Sequence, residues 1–163
     1  MHKFSFIIVL LFYQIALSEI KVNSIISLNK NIPEECGLSF LIENNEKFIN
    51  ASISIKKVEN DETITKFTVN SPKPVNSSDL LTNSSKISEI IGNGKTLESG
   101  YESKGKTNQD STTFFFQEIL IGGGTLVINN IPYEITGPID SKVRLEYLFC
   151  TGEMFLPNYK KNE

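Results

Sequence analysis

From Phe48 to Val58 the chain reads FINASISIKKV, and its apolar residues recur at every second position. Ile49, Ala51, Ile53 and Ile55 fall on one side of an extended segment; Asn50, Ser52, Ser54 and Lys56 fall on the other. That period belongs to a β-strand with one face in a core and the other in water. The neighbouring runs are strand-like too: CGLSFLI, from Cys36, and TITKFTV, from Thr63 to Val69. Short polar stretches, ENNEK and ENDE, separate the three, so the spacing predicts an antiparallel meander.

A second strand pair is expected further on. In TLVI-NN-IPYEI two apolar arms flank Asn129 and Asn130, residues that accept positive φ in a two-residue hairpin turn. Pro132 lacks the N–H that a ladder needs, which puts the arm Ile131–Ile135 at a sheet edge or leaves it unpaired at that residue. In SKVRLEYLFC the apolar residues Val143, Leu145, Tyr147 and Phe149 alternate, and their β-branched and aromatic character favours a strand over 142–150. The competing reading is a helix from Ser141 with Val143, Tyr147 and Cys150 on one stripe.

The stretch FFFQEILIGGGTLV (114–127) poses its own question. A phosphate cradle needs a helix after its glycines and a lysine within reach. Here TLVINN follows, and no lysine comes before Lys142. A membrane-surface helix needs a cationic face, which is missing, and Gln117 and Glu118 interrupt the apolar run. What remains is packing: a short helix at about 112–121, capped at Asp110, Ser111 or Thr112. It sends Phe115, Phe116, Ile119 and Leu120 inward and ends at Gly122 in the left-handed conformation. A strand with Phe114 and Phe116 on one side is the alternative.

Between the two strand groups, residues 71–111 open with Pro72 and Pro74 and are rich in Ser, Asn, Gly, Lys and Thr. This composition predicts a polar, mobile tract. Two weak elements suggest themselves within it: a hairpin about Gly92-Asn93-Gly94, or a short helix with Leu80, Ile87 and Ile91 on one side, capped by Ser77 or Ser78. Altogether the pattern predicts an all-β, or β-rich α+β, fold. It takes the form of an antiparallel two-sheet sandwich with one short helix at about 112–121, stapled by one disulfide. Residues 19–35 form a lead-in, 36–155 a single domain and 156–163 a polar tail.

The disulfide follows from the only two cysteines, Cys36 and Cys150, and from where the chain is expected to go. Residues 1–18, MHKFSFIIVLLFYQIALS, have a basic start at Lys3 and an apolar stretch from Phe4 to Leu17. Ala16 and Ser18 supply the small residues that signal peptidase accepts. The apolar stretch is short of the ~20 residues a spanning helix needs. Cleavage before Glu19 is expected, with export to the extracellular space or a periplasm and no stable membrane insertion afterwards. In such a compartment an even pair of cysteines reads as a bridge.

Cleavage also removes His2, the only histidine, and Lys3, which takes the formal charge from −3 to −4. A mildly acidic chain argues against a nucleic-acid partner. Without histidine, imidazole acid–base chemistry, a Ser-His-Asp triad and His-ligated zinc all fall away. Glu59, Asp61 and Glu62 lack the spacing of a calcium loop. Glu118 and Glu146 are the only carboxylates in an apolar setting, and each is expected to face solvent. Ser141-Lys142 and Ser103-Lys104 are pairings that any Ser- and Lys-rich chain contains. No catalytic residue, cofactor or metal ligand is therefore assigned. Asn50, Asn76 and Asn83 begin Asn-x-Ser sequons and would carry glycans in a eukaryotic secretory pathway. The expected function is non-enzymatic binding of a protein or other macromolecule through a sandwich surface or sheet edge. The alternatives are a structural or envelope component and a small secreted hydrolase that uses carboxylates.

Overall fold

The structure, a computed structural model, describes residues 20–44, 47–58 and 62–154. The expected leader (1–18), the polar tail (156–163), Glu59 and Asp61 lie outside the described residues. Among the described residues, nine strands form two antiparallel sheets, and three helices accompany them. The chain begins with β1 (Ile20–Asn29), β2 (Ile32–Asn44), β3 (Lys47–Lys57) and β4 (Thr63–Asn70), each paired with the next as an antiparallel meander. It then passes through β5 (Ser78–Leu81), α1 (Ile87–Ile91), β6 (Lys95–Leu97) and β7 (Gly100–Lys106). The last third is α2 (Gln109–Gly122), the hairpin β8 (Gly123–Ile128) and β9 (Ile131–Thr136), and α3 (Ser141–Met154). The large sheet has the order β1-β2-β3-β4-β7-β6; the small one is β5-β8-β9.

Alternation in the meander is what builds the core. Cys36, Leu38, Phe40 and Ile42 of β2, Ala51, Ile53 and Ile55 of β3, and Phe67 and Val69 of β4 are all buried on one face. Leu80, Leu126, Ile128 and Ile135 of the small sheet join the same core, as do Phe115, Phe116, Ile119 and Leu120 of α2. The outer face of the large sheet carries short polar residues, with Ser52 and Thr68 sharing a hydroxyl hydrogen bond of 2.6 Å.

The helix expected at 112–121 runs from Gln109 to Gly122, with the four predicted side chains buried. Its cap is Asn108 rather than Asp110, Ser111 or Thr112: the Asn108 side chain accepts from the Ser111 N–H. Gly122 is the last helical residue, and the positive φ of 75° falls on Gly123. A Cβ there would stand 2.0 Å from the Ile135 carbonyl oxygen. The triple glycine thus stops a helix and lets two backbones touch.

The final segment corrects an expectation: 142–150 is helical, not a strand. The stripe Val143, Tyr147, Cys150 and Met154, at i, i+3 and i, i+4 spacings, faces the core, and the helix packs on β1 and β2. Two members of the strand-like alternation, Leu145 and Phe149, are exposed instead. Asp140 caps the helix through a 2.9 Å bond from the Lys142 N–H, satisfying one of its orphan donors.

Residues 71–111 hold three strands, a helix and the start of α2 rather than a structureless excursion. The short helix is α1, but its cap position is Lys86, and Leu80 belongs to a strand. The hairpin in this region turns at Glu98-Ser99, between β6 and β7, not at Gly92-Asn93-Gly94. Within the expected lead-in 19–35, residues 20–35 supply β1 and the start of β2, joined by Lys30-Asn31, both at positive φ.

Candidate functional site

Cys36 and Cys150 are bonded, with Cα atoms 5.8 Å apart, and both are nearly inaccessible. The bridge fastens α3 across β2 beside the edge strand β1. Glu118 was expected to face water; it is half-buried and accepts from Thr82 Oγ1 and Ser84 Oγ at 2.6 Å and from Ser85 Oγ at 3.3 Å. Ser84 first, then Thr82, hold its carboxyl below the usual carboxylate range against the opposing cost of burial. Glu146 accepts from the Ser24 hydroxyl on β1 and lies 3.8 Å from Lys142 Nζ. The two carboxylates therefore sit in separate structural clamps: Glu118 ties α2 to the β5–α1 loop, and Glu146 ties α3 to β1.

Ser103 donates to the Gly92 carbonyl at 2.6 Å, so its hydroxyl is occupied in joining β7 to the end of α1. Glu62, from the acidic turn, pairs with Lys106 at 2.8 Å; its carboxyl is lowered first by that hydrogen bond and then by the lysine's charge. Among the described residues no group of three or more His, Cys, Asp or Glu is arranged to hold a metal ion. All three sequon asparagines are exposed: Asn50 on the outer face of β3, Asn76 in the approach to β5, and Asn83 in the loop after it. Their partner hydroxyls differ in setting, since Ser78 is buried and donates to the Val127 carbonyl.

The arm Ile131–Ile135 does lie at an edge, as β9 of the small sheet, with Ile131 exposed and Ile135 buried. Sequence reasoning missed the larger edge, β1. Where β1 comes closest to β9 and α3, a groove of about 510 Å³ opens. Its apolar lining is Ile20 and Val22 from β1, Ile139 from the connection and Val143 from α3. Lys21, Lys142, Asp140 and Glu146 surround these with both signs of charge. At the opposite end of β1, Ile26 and Leu28 are exposed. The β1 sequence IKVNSIISLN hides its edge role because Ser24 and Ile25 interrupt the alternation of Ile20, Val22, Ile26 and Leu28.

The chain has no significant match among protein family models, curated proteins or solved structures. Among the described residues no helix is long and apolar enough to cross a membrane.

Proposed function

We propose that the protein is an exported, non-enzymatic binding module that contacts another protein through the open edge of its large sheet. One observation carries this reading: β1 is a ten-residue edge strand with a part-apolar groove beside one end and exposed isoleucine and leucine at the other. An unpaired strand edge offers a row of N–H and C=O groups to an extended segment, and flanking pockets select its side chains. The leader 1–18, with cleavage before Glu19, supplies the route out of the cell. A disulfide in the folded domain is compatible with an oxidising destination, either a periplasm or the extracellular space. In a eukaryotic source, Asn50, Asn76 and Asn83 would carry glycans.

Glu118 and Glu146 weigh against the carboxylate hydrolase, because both are engaged by hydroxyls of the fold itself. The test is recovery of the tagged protein from its native compartment, compared with an Ile26→Lys, Leu28→Lys variant. The partner is expected to stay with the wild type and to be lost from the variant, while both unfold at the same denaturant concentration. Equal recovery would move the contact surface away from β1.

A further inference from the structure

Among the described residues, the four sheet edges are not alike. β6 is three residues long and starts at Lys95, β5 is four residues long, and β9 carries Pro132. Shortness, lysine and proline are devices that keep an edge from pairing with another chain. β1 has ten residues, no proline, and a single lysine at its second position. The only irregularity in the β1–β2 ladder is an extra residue, Glu34, on the β2 side, so β1 itself carries no bulge.

The inward side of β1 changes character along its length. Ile20 and Val22 are partly buried against the core and line the groove with Ile139 and Val143. Ile26 and Leu28, on the same side of the strand, are 44% and 56% exposed. Phe149, 70% exposed, belongs to that same level: its neighbour Cys150 is bonded to Cys36, the cross-strand partner of Ile26. One end of the strand has a hollow, and the other has protruding apolar side chains.

From this we infer that β1 pairs with β1 of a second copy of the chain, antiparallel, about a two-fold axis at Ser24. The inference rests on the reading of β1 as the contact edge and names its occupant. With Ser24 opposite the partner's Ser24, Val22 meets the partner's Ile26 and Ile20 meets the partner's Leu28. Residues directly opposite in an antiparallel pair share a face, so these apolar pairs stack in one layer. The protruding end of each copy enters the hollow end of the other, the self-complementarity that a two-fold interface requires. Lys21, the sole charge on β1, comes opposite the partner's Ser27, so no like charges of the two strands meet, and the Glu146 carboxylate that each Ser24 holds near the axis has Lys142 Nζ 3.8 Å away to offset its charge. Moving the axis to Asn23 or Ile25 would set Val22 or Ile26 against Ser24, which selects Ser24 as the centre. The pairing closes, because two copies use up both β1 edges.

The test is sedimentation of the disulfide-intact protein over a range of concentrations, joined to cysteine pairing across the axis. A reversible dimer is expected. Ile26→Lys with Leu28→Lys should weaken it about tenfold or more, a loss of roughly 1.4 kcal/mol or above, whereas Ile131→Lys on the β9 edge should leave it unchanged. Ser24→Cys is expected to form an intermolecular bridge under mild oxidation, since opposite residues hold their Cβ atoms about 4.5–5.5 Å apart. Ser27→Cys, away from the axis, should form none. A monomer at every concentration overturns the inference, as does a dimer that tolerates the lysines and forms no bridge at position 24. A monomer whose lysine variant still loses its native partner would sink the second copy and leave β1 standing as the binding edge.

Discussion

Cys36 in β2 and Cys150 in α3 are bonded across a sequence separation of 114 residues, and their side chains are almost completely buried. Closing so long a loop restricts the unfolded chain, an effect worth up to about 4.7 kcal/mol in the chain-entropy model. It also holds the last helix on the first two strands, where α3 makes its packing contacts. Replacing both cysteines with alanine is therefore expected to lower the unfolding free energy by about 3–5 kcal/mol. The urea midpoint should fall and the slope of the transition should rise, because the unlinked chain expands further on unfolding. An unchanged midpoint would show that the bridge contributes nothing to the folded protein.

The Glu118 clamp predicts a pH dependence. Its carboxyl titrates below the ordinary value of 4.5, because the folded state binds the charged form through Ser84, Thr82 and Ser85. A depressed carboxylate stabilises above its unfolded pKa, and that contribution is lost as the pH falls through its folded pKa. Glu118→Gln should cost about 1 kcal/mol at neutral pH. The difference in thermal midpoint between the two proteins should shrink as the pH drops below the ordinary carboxylate range. A gap that stays constant with pH would count against the clamp.

Phe116 of α2 and Tyr147 of α3 stack with ring centroids 4.6 Å apart and planes 21° from parallel. Each is buried, and burial pushes the Tyr147 phenol upward, so the ring stays neutral throughout the physiological range. Truncating either to alanine should cost about 3–5 kcal/mol. In a double-mutant cycle the pair should couple by about 0.5–1.5 kcal/mol. Simple additivity would mean that the two rings are stabilised independently.

The Asn129-Asn130 turn separates two roles of asparagine. Both residues have positive φ, but only the Asn129 side chain reaches out: its Nδ2 donates to the Pro74 carbonyl at 2.9 Å, and its Oδ1 accepts from the Asn76 N–H at 2.8 Å. Asn130→Gly keeps the backbone geometry and should change stability by no more than about 0.5 kcal/mol. Asn129→Gly keeps the geometry too, but it frees the 71–77 segment and should cost about 1–2 kcal/mol. Chemical denaturation of the two variants side by side measures the difference.

The parts of this fold legible in the sequence are those where one strand face is apolar throughout. β2 to β4 declare themselves through Leu38, Ile53, Phe67 and their neighbours, and the β8–β9 hairpin through its two asparagines. β7 is different: it runs inside the large sheet between β4 and β6, yet reads GYESKGK. Its buried positions are Gly100, Tyr101 and Ser103, small or polar residues satisfied locally, as Ser103 is by Gly92. α3 misleads in the opposite direction, because Val143 and Tyr147 fit a strand and a helix equally well, and only the docking of Cys150 on Cys36 separates them. The same holds for the candidate site. That β9 is an edge follows from Pro132, but the groove at β1 is assembled from residues more than a hundred positions apart and carries no local signature.

The proposed export and the Cys36–Cys150 bridge meet in one measurement, the intact mass of the protein recovered from its native source. The measurement is made after removal of any glycans, before and after reduction. A chain that starts at Glu19 and gains two hydrogens on reduction is expected. A chain that keeps residues 1–18, with a mass that reduction leaves unchanged, would contradict both the export and the bridge.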